Sequence, residues 1–419
     1  MNRRRFLMSA AGGCLLPSLS VWGAERRRPR IALLGTVVRQ HSHAQHFLDR
    51  LSLGYTWNGR WQDPRVEIAS VYIDQFPSDD LGRSRTRKYG LKTFPSVADA
   101  LTLGSGTLAV DGVVLIGEHG DYPSTELGQT RYPRYEWFKD IVEVFEHSQR
   151  AVPVFNDKHL STSWDECVEM VADSRRLKFP FLAGSSLPLT RRLPAVDMPW
   201  NADLKESVCV AYGLVDSYDF HALETAQCMS ERRRGGEVGI QSVHAVRGEK
   251  LWKILEESDR ESTRRLLVSA LTRSHNLPVE GGFPTGKVTY EWFKKNQPET
   301  LAYFVEHRDG FRTTIFLTEI RDFNYAGYLR DQDKLVSCQM YLPMPNRGST
   351  TADFFNPLIR SIEDMILQGK ADYPVERTLL TSGMVIGGMK SLYAGQVAVA
   401  TPEMGVKYTV PDQSWFWKT

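Results

Sequence analysis

The chain has 419 residues, 42% of them apolar and 24% charged, with a formal net charge of +2. At roughly 150 residues per domain this is two or three domains, large enough to bury their own cores without a disulfide framework. A near-neutral balance with no long basic tract excludes nucleic acid or an anionic membrane as a dedicated partner, and the short cluster Arg232, Arg233, Arg234 reads as a solvated face.

Residues 1–24 have the layout of an export signal. Arg3, Arg4 and Arg5 precede Phe6 and Leu7, a weakly apolar run follows, and Gly23 and Ala24 close it. The RR-x-F-L order resembles a twin-arginine signal and implies a periplasmic or otherwise exported protein. Cys14, in AGGC, offers lipid attachment as a minor alternative. No later run is long enough to span a bilayer. Cys167, Cys209, Cys228 and Cys338 show neither C-x-x-C nor metal-type spacing and read as buried small hydrophobes.

An apolar strand over 31–34 runs into Gly35, Thr36, Val37 and Val38, and helical spacing follows over 44–53. A second strand, 66–73, ends at Asp74, where dinucleotide-binding folds place a ribose-binding carboxylate. A short helix over 97–103 precedes 110–116, whose near-continuous apolar character suits a strand buried on both faces. That strand ends in Gly117, Glu118, His119, Gly120 and Asp121. After a helix over 134–148, the apolar run 152–155 is broken by Asn156, Asp157, Lys158 and His159. A helix over 161–177 and a strand over 179–183 complete an alternation that means an α/β, doubly wound parallel sheet, a Rossmann-like domain over 25–190. Three prolines within 187–203 mark a domain crossing. Beyond it, a strand over 208–214, a helix over 218–233, β-like runs at 239–246, 301–306, 313–319 and 334–342, and helices over 354–368 and 375–394 predict an α+β domain, 191–419, with a largely antiparallel open sheet.

The stretches RIALLGTVVRQHSHAQHFLDR, VEIASVYID, KYGLKTFPSVADAL, DGVVLIGEHGDYP, VPVFNDKHLSTSWDECVEMV and YDFHALETAQCM, in this order, resemble the Gfo/Idh/MocA family of glucose–fructose oxidoreductase and inositol dehydrogenase relatives, closest to an exported branch. The resemblance covers most of the chain after the signal. It implies an NAD(P)-dependent oxidoreductase acting on a sugar, polyol or glycoside hydroxyl, a carbohydrate-like partner and self-association through the C-terminal sheet; export, which leaves the enzyme without a free nicotinamide pool, adds the expectation of a tightly held, recycled cofactor.

Lys158 matches the lysine of the family's E-K-P motif, which orients substrate; the flanking residues here are Asp157 and His159 instead of Glu and Pro. His221 falls where the family's catalytic histidine opens a helix, and a neutral imidazole there takes the hydroxyl proton as hydride leaves the same carbon. Asp219 is expected to orient it, and Glu224 shares its helix face. The resemblance puts Gly35, Thr36 and Val37 at the phosphate turn, Asp74 at a ribose, Asp157 at Lys158 or a cofactor hydroxyl, and His119 with Asp121 near the nicotinamide ribose. Asp74 favours NAD over NADP, because a carboxylate repels a 2′-phosphate.

Only Gly35 of the family's glycine pattern is present, with Arg39 available to a phosphate. That departure and the D-K-H triplet sustain an alternative, a non-redox carbohydrate-binding protein on the same fold. His41, His43 and His46 form H-x-H-x-x-H. No cysteine or carboxylate falls within this cluster and the family places no metal there, so no metal is expected.

Overall fold

A computed structural model describes residues 27–343 and 351–418; the signal-like stretch 1–24 and Cys14 lie outside the described residues. β1 (Arg30–Gly35) is buried from Ile31 onward, as a central parallel strand covered by helices on both faces must be. α1 (His43–Leu53) follows, its N-terminus capped by Ser42, whose side chain accepts from the Gln45 amide. A hairpin, β2 (Tyr55–Trp57) and β3 (Arg60–Gln62), then leads to β4 (Glu67–Ile73). The alternation continues through α2 (Gly82–Tyr89), α3 (Val97–Thr102), β5 (Gly112–Ile116), α4 (Arg134–His147), β6 (Val154–Asp157), α5 (Trp164–Arg176) and β7 (Phe181–Gly184). These five main strands pair in parallel in the order β4-β1-β5-β6-β7, and a single parallel bridge from Thr93 to Val71 extends the β4 edge. The chain leaves β1 toward one edge and later enters β5 on the other side. This reversal opens a crevice above the strand ends of β1 and β5, the ligand position of doubly wound sheets.

The second sheet holds eight strands: β8 (Arg192–Leu193), β9 (Leu204–Tyr212), β10 (Ile240–Arg247), β11 (Leu301–His307), β12 (Arg312–Thr318), β13 (Phe323–Leu329), β14 (Lys334–Met340) and β15 (Val399–Ala400). Every pairing is antiparallel except β9 with β12, so the sheet is mixed and largely antiparallel, as the pattern predicts. One face packs on α6 (Asp219–Ser230) and α11 (Glu376–Tyr393). The other is not bare. α7 (Glu249–Glu256), α8 (Glu261–Leu271) and α9 (Tyr290–Asn296) seal it with Leu251, Leu266, Leu267 and Phe293. These three helices and β13 are absent from the sequence-based outline, and they cover the sheet face opposite α6 and α11.

α10 (Asn356–Gln368) carries the chain back to the first sheet, where Leu358, Ile359 and Ile362 join Phe47, Leu48 and Leu33 in one core. Each such fully buried side chain contributes about 1.5–3 kcal/mol. α11 is buried around most of its circumference and touches both cores, Leu380 and Met384 on one side, Leu379 and Ile386 on the other. Gly388 lets it approach closely, since a Cβ there would enter the Tyr303 ring.

The arginine cluster read as a solvated face is instead largely interior. Arg232 and Arg233 are buried, with ion pairs to Asp197 at 3.3 Å, to Glu237 at 3.0 Å and to Asp309 at 2.8 Å, and only Arg234 reaches solvent. Desolvated guanidinium groups persist there because each finds a carboxylate. Cys167, Cys209, Cys228 and Cys338 are buried free thiols, as expected.

Candidate functional site

A cavity of about 420 Å³ lies in the crevice, walled by both halves of the chain. His43 from α1, His119 after β5, Arg134 at the start of α4, Lys158 and His159 after β6, and His221 from α6 line it. Each position follows from the fold, because strand ends and helix starts are the backbone that faces this side of the sheet. Lys158 adopts a left-handed φ of 65° immediately after β6, which turns its side chain out of the strand's alternation. His119 does likewise, with φ of 60° after β5.

Lys158 is mostly buried, with its side chain 15% exposed, its ammonium packed against the Glu118 carboxylate and 3.9 Å from Asp157 Oδ2. Burial pulls its pKa down to about 7. Asp157 is fully buried and faces His43, whose Nδ1 lies 2.9 and 2.8 Å from its two carboxylate oxygens. Burial pushes Asp157 up to about 7, partly countered by Arg134 and His221. His43, Glu118 and Asp157 thus bring ligand-type atoms within 4.8 Å of one another, with the Lys158 ammonium supplying the cation between them. Tertiary structure delivers the carboxylates that the H-x-H-x-x-H cluster lacks in sequence.

His221 Nδ1 is 3.0 Å from Ser185 Oγ and 3.9 Å from Glu224 Oε2. Ser185 donates twice to Glu224, from its amide at 3.0 Å and from its hydroxyl. With its one proton committed to Glu224, the Ser185 hydroxyl accepts from His221 Nδ1–H, which leaves Nε2 as a lone-pair base. Burial lowers the His221 pKa, so the ring is neutral at pH 7. Gly184 makes room for this relay: its φ is 125°, and a Cβ there would collide with Glu224.

Asp219 does not orient His221. Its carboxylate accepts from its own helix, the Phe220 amide at 2.9 Å, and from the Tyr303 hydroxyl at 3.0 Å. Residues two apart on a helix point to opposite sides, whereas Glu224, three apart, shares the histidine's face. Of the other expected residues, His119 and Lys158 line the cavity, while Gly35, Thr36, Val37 and Asp74 lie outside its wall. Thr36 ties β1 to β5 through its hydroxyl, which bonds the Glu118 backbone on both sides. His119 is held between Arg39 at 2.9 Å and Glu118 at 3.1 Å, and burial with the nearby Arg39 pulls its pKa down to about 4. Glu118 and Ser185 were not foreseen as site residues. Each stands at a strand end, which was the available signal. Arg134 carried none beyond opening a helix.

No family model and no curated protein matches the sequence. Solved structures do match. GenD2 from gentamicin A biosynthesis, in complex with NAD, aligns with 94% of this chain and 99% of its own at 11% identity and a TM-score of 0.56. Myo-inositol dehydrogenase from Lactobacillus casei, in complex with NAD(H) and myo-inositol, covers 90% and 98% at 10% identity with a TM-score of 0.54. The myo-inositol dehydrogenase from Corynebacterium glutamicum ATCC 13032 gives 89%, 98%, 12% and 0.53. The chain therefore shares the fold of these dehydrogenase structures.

The fit of a dinucleotide to this fold differs between its two ends. The cavity, with His119, Lys158 and His221 in its wall, suits a nicotinamide beside a substrate. Toward the pyrophosphate and the second ribose, the chain's own groups hold the positions in the conformation described. The His43 amide at the N-terminus of α1, the place for a phosphate, donates to Glu118 Oε1 at 2.7 Å. Asp74 accepts from the Tyr72 hydroxyl at 2.7 Å and the Tyr122 hydroxyl at 2.6 Å. Gln75 and Asp121 bridge the β4 and β5 ends with paired hydrogen bonds of 3.0 and 2.8 Å. Gly35 forms no special cradle, since a Cβ there would make only an ordinary 3.6 Å contact with Ala44.

Proposed function

We propose that the chain is an NAD(P)-dependent oxidoreductase, with NAD favoured, acting on a hydroxyl-bearing carbon of a sugar, polyol or glycoside. The observation that carries this reading is that Lys158 and His221, from opposite halves of the chain, line one cavity in a fold shared with NAD-bound structures. A substrate hydroxyl between them meets an ammonium that stabilises developing alkoxide charge and an imidazole nitrogen that accepts the proton. Ser185 and Glu224 hold the ring in the required tautomer. In this reading a nicotinamide supplies the hydride acceptor, and the chain's residues supply the binding and the proton chemistry. The test is to purify the protein from its exporting host, denature it and analyse the supernatant by mass spectrometry. A released nicotinamide dinucleotide is expected; none released, together with no turnover of any polyol when NAD or NADP is added, sinks the reading.

A second reading, a carbohydrate-binding protein without redox chemistry, is favoured by the Glu118, Asp74 and Gln75–Asp121 contacts that hold the dinucleotide's path. Persistent sugar binding with no cofactor released and no turnover selects it. We further propose export by a twin-arginine route, supported by the arginine pair and apolar run within residues 1–24. Retention in the cytosol of a reporter fused to this segment would refute that proposal.

A further inference from the structure

Arg134 is a buried cation that makes no ion-pair contact among the described residues, with Asp157 and Asp216 acting on it only from beyond that range. It is 2% exposed, yet among the described residues no carboxylate oxygen lies within 4.0 Å of it. Its Nε donates to the Gly117 carbonyl at 2.8 Å, and its guanidinium lies 5.1 Å from the centre of the Tyr132 ring. The terminal nitrogens make no hydrogen bond among the described residues, and the side chain lines the cavity. The arginine is also built in. A Cβ on Gly117 would fall 2.6 Å from its Cγ, so the glycine at the end of β5 gives the stem its passage. The nearest carboxylates are committed elsewhere: Asp157 to His43, and Asp216 to the Thr130 amide at 2.7 Å and the Gln129 side chain at 3.2 Å. Buried charges in folded proteins are paired, and an unpaired one facing a cavity indicates that the partner arrives with the ligand.

A second residue in the same wall has the same character. His159 is 5% exposed, and neither of its ring nitrogens has a hydrogen-bond partner. It packs against Phe220 at 5.7 Å between ring centroids. A buried imidazole with two idle nitrogens costs roughly 1–3 kcal/mol unless a ligand engages it.

We propose that Arg134, with His159, forms an oxyanion subsite of the cavity, so that the substrate is an acidic sugar, carrying a carboxylate or a phosphate ester, and not a neutral polyol. Arg134 receives the oxyanion through its terminal nitrogens, and the Lys158–His221 end is left to the hydroxyl. This inference rests on the reading of the cavity as a sugar site, but not on redox activity.

Equilibrium binding to the full-length protein without added nucleotide tests it, with D-glucuronate, D-glucose 6-phosphate, D-glucose and inorganic phosphate as probes in calorimetry. At least one acidic sugar is expected to bind about tenfold more tightly than glucose, the factor for one charge-assisted hydrogen bond. Whichever acid binds better names the source of the oxyanion. In Arg134→Gln, checked for folding by circular dichroism, that preference over glucose is expected to vanish, with Arg134→Lys retaining part of it. His159→Ala, which breaks no hydrogen bond and so remains folded, is expected to weaken the acid about threefold or more and leave glucose unchanged. The proposal is overturned if glucose binds as well as both acids, or if neither acid binds at millimolar concentration. It is equally overturned if free phosphate matches the sugar acids, if folded Arg134→Gln keeps the preference, or if His159→Ala leaves acid binding unchanged. Failure of the cofactor-release experiment leaves these binding constants untouched, so the two proposals fall separately.

Discussion

His43 Nδ1 lies 2.9 and 2.8 Å from the two carboxylate oxygens of Asp157, across the crevice between the start of α1 and the end of β6. Asp157 is fully buried and His43 largely so, and the contact joins the strand–helix units that begin at β1 and β6. Removing the carboxylate in Asp157→Ala leaves a buried imidazole N–H unsatisfied, at a cost of roughly 1–3 kcal/mol. Asp157→Asn, which keeps an acceptor oxygen, should cost less. Urea unfolding of the two variants reads the difference; equal stability of Asp157→Ala and the parent protein would contradict the contact.

Lys158 makes ligand binding sensitive to alkaline pH. Burial pulls its pKa down to about 7, so the ammonium is present below that pH and is lost as pH rises through it. The affinity for a hydroxyl-bearing ligand is expected to fall across that range. Lys158→Arg keeps its charge, because a guanidinium titrates above about 12, and its affinity should be flat over the same range. Parallel profiles for the two proteins would exclude Lys158 as the titrating group.

His221 should carry the proton transfer. Its replacement by alanine is expected to lower kcat by about 10²–10⁴, the usual contribution of a general base. Ser185→Ala frees the Nδ1 proton, so it should lower kcat less and shift the pH profile. Asp219→Asn, removing only bonds to Tyr303 and the helix's own amide, should reduce stability and leave that profile in place. A profile shift in Asp219→Asn as large as in Ser185→Ala would reverse the assignment.

Acid should destabilise the protein in part through His46. The ring stacks on Phe355 at 4.7 Å, and burial, with Arg50 beside it, pulls its pKa from 6.5 to about 3. The unfolded chain therefore binds this proton first, and the resulting stability is lost as pH falls from about 6.5 toward 3. His46→Gln has no such proton to bind. Its Tm should decline less steeply than the parent's over that interval, and identical slopes would rule the histidine out.

Gly184→Ala tests the packing behind the relay. The φ of 125° disfavours any side chain, and a Cβ would push on Glu224. A loss of about 1–3 kcal/mol, typical of overpacking, is expected together with reduced turnover. A fully active and stable variant would show that the relay tolerates displacement.

The alternation of strands and helices, the strand-end position of Lys158 and the helix-start position of His221 were legible in the chain alone. They are local: an apolar run buried on both faces and a polar break at its end are properties of consecutive residues. The period-3.6 pattern in Glu249–Glu256 and Glu261–Leu271 is equally local. Partnerships across the crevice were not legible. Asp219 is close to His221 in sequence and turned away from it by helix geometry, whereas Ser185 and Glu118 reach their partners only after distant strand ends come together. The buried state of Arg232 and Arg233, and the lack of an ion-pair contact to Arg134 among the described residues, belong to the same class. Sequence determined the fold class and which residue types stand at the strand ends. Whether a charge is paired, solvated or left for a ligand was decided by tertiary structure, because electrostatic energy depends on distances and burial that chain order does not encode.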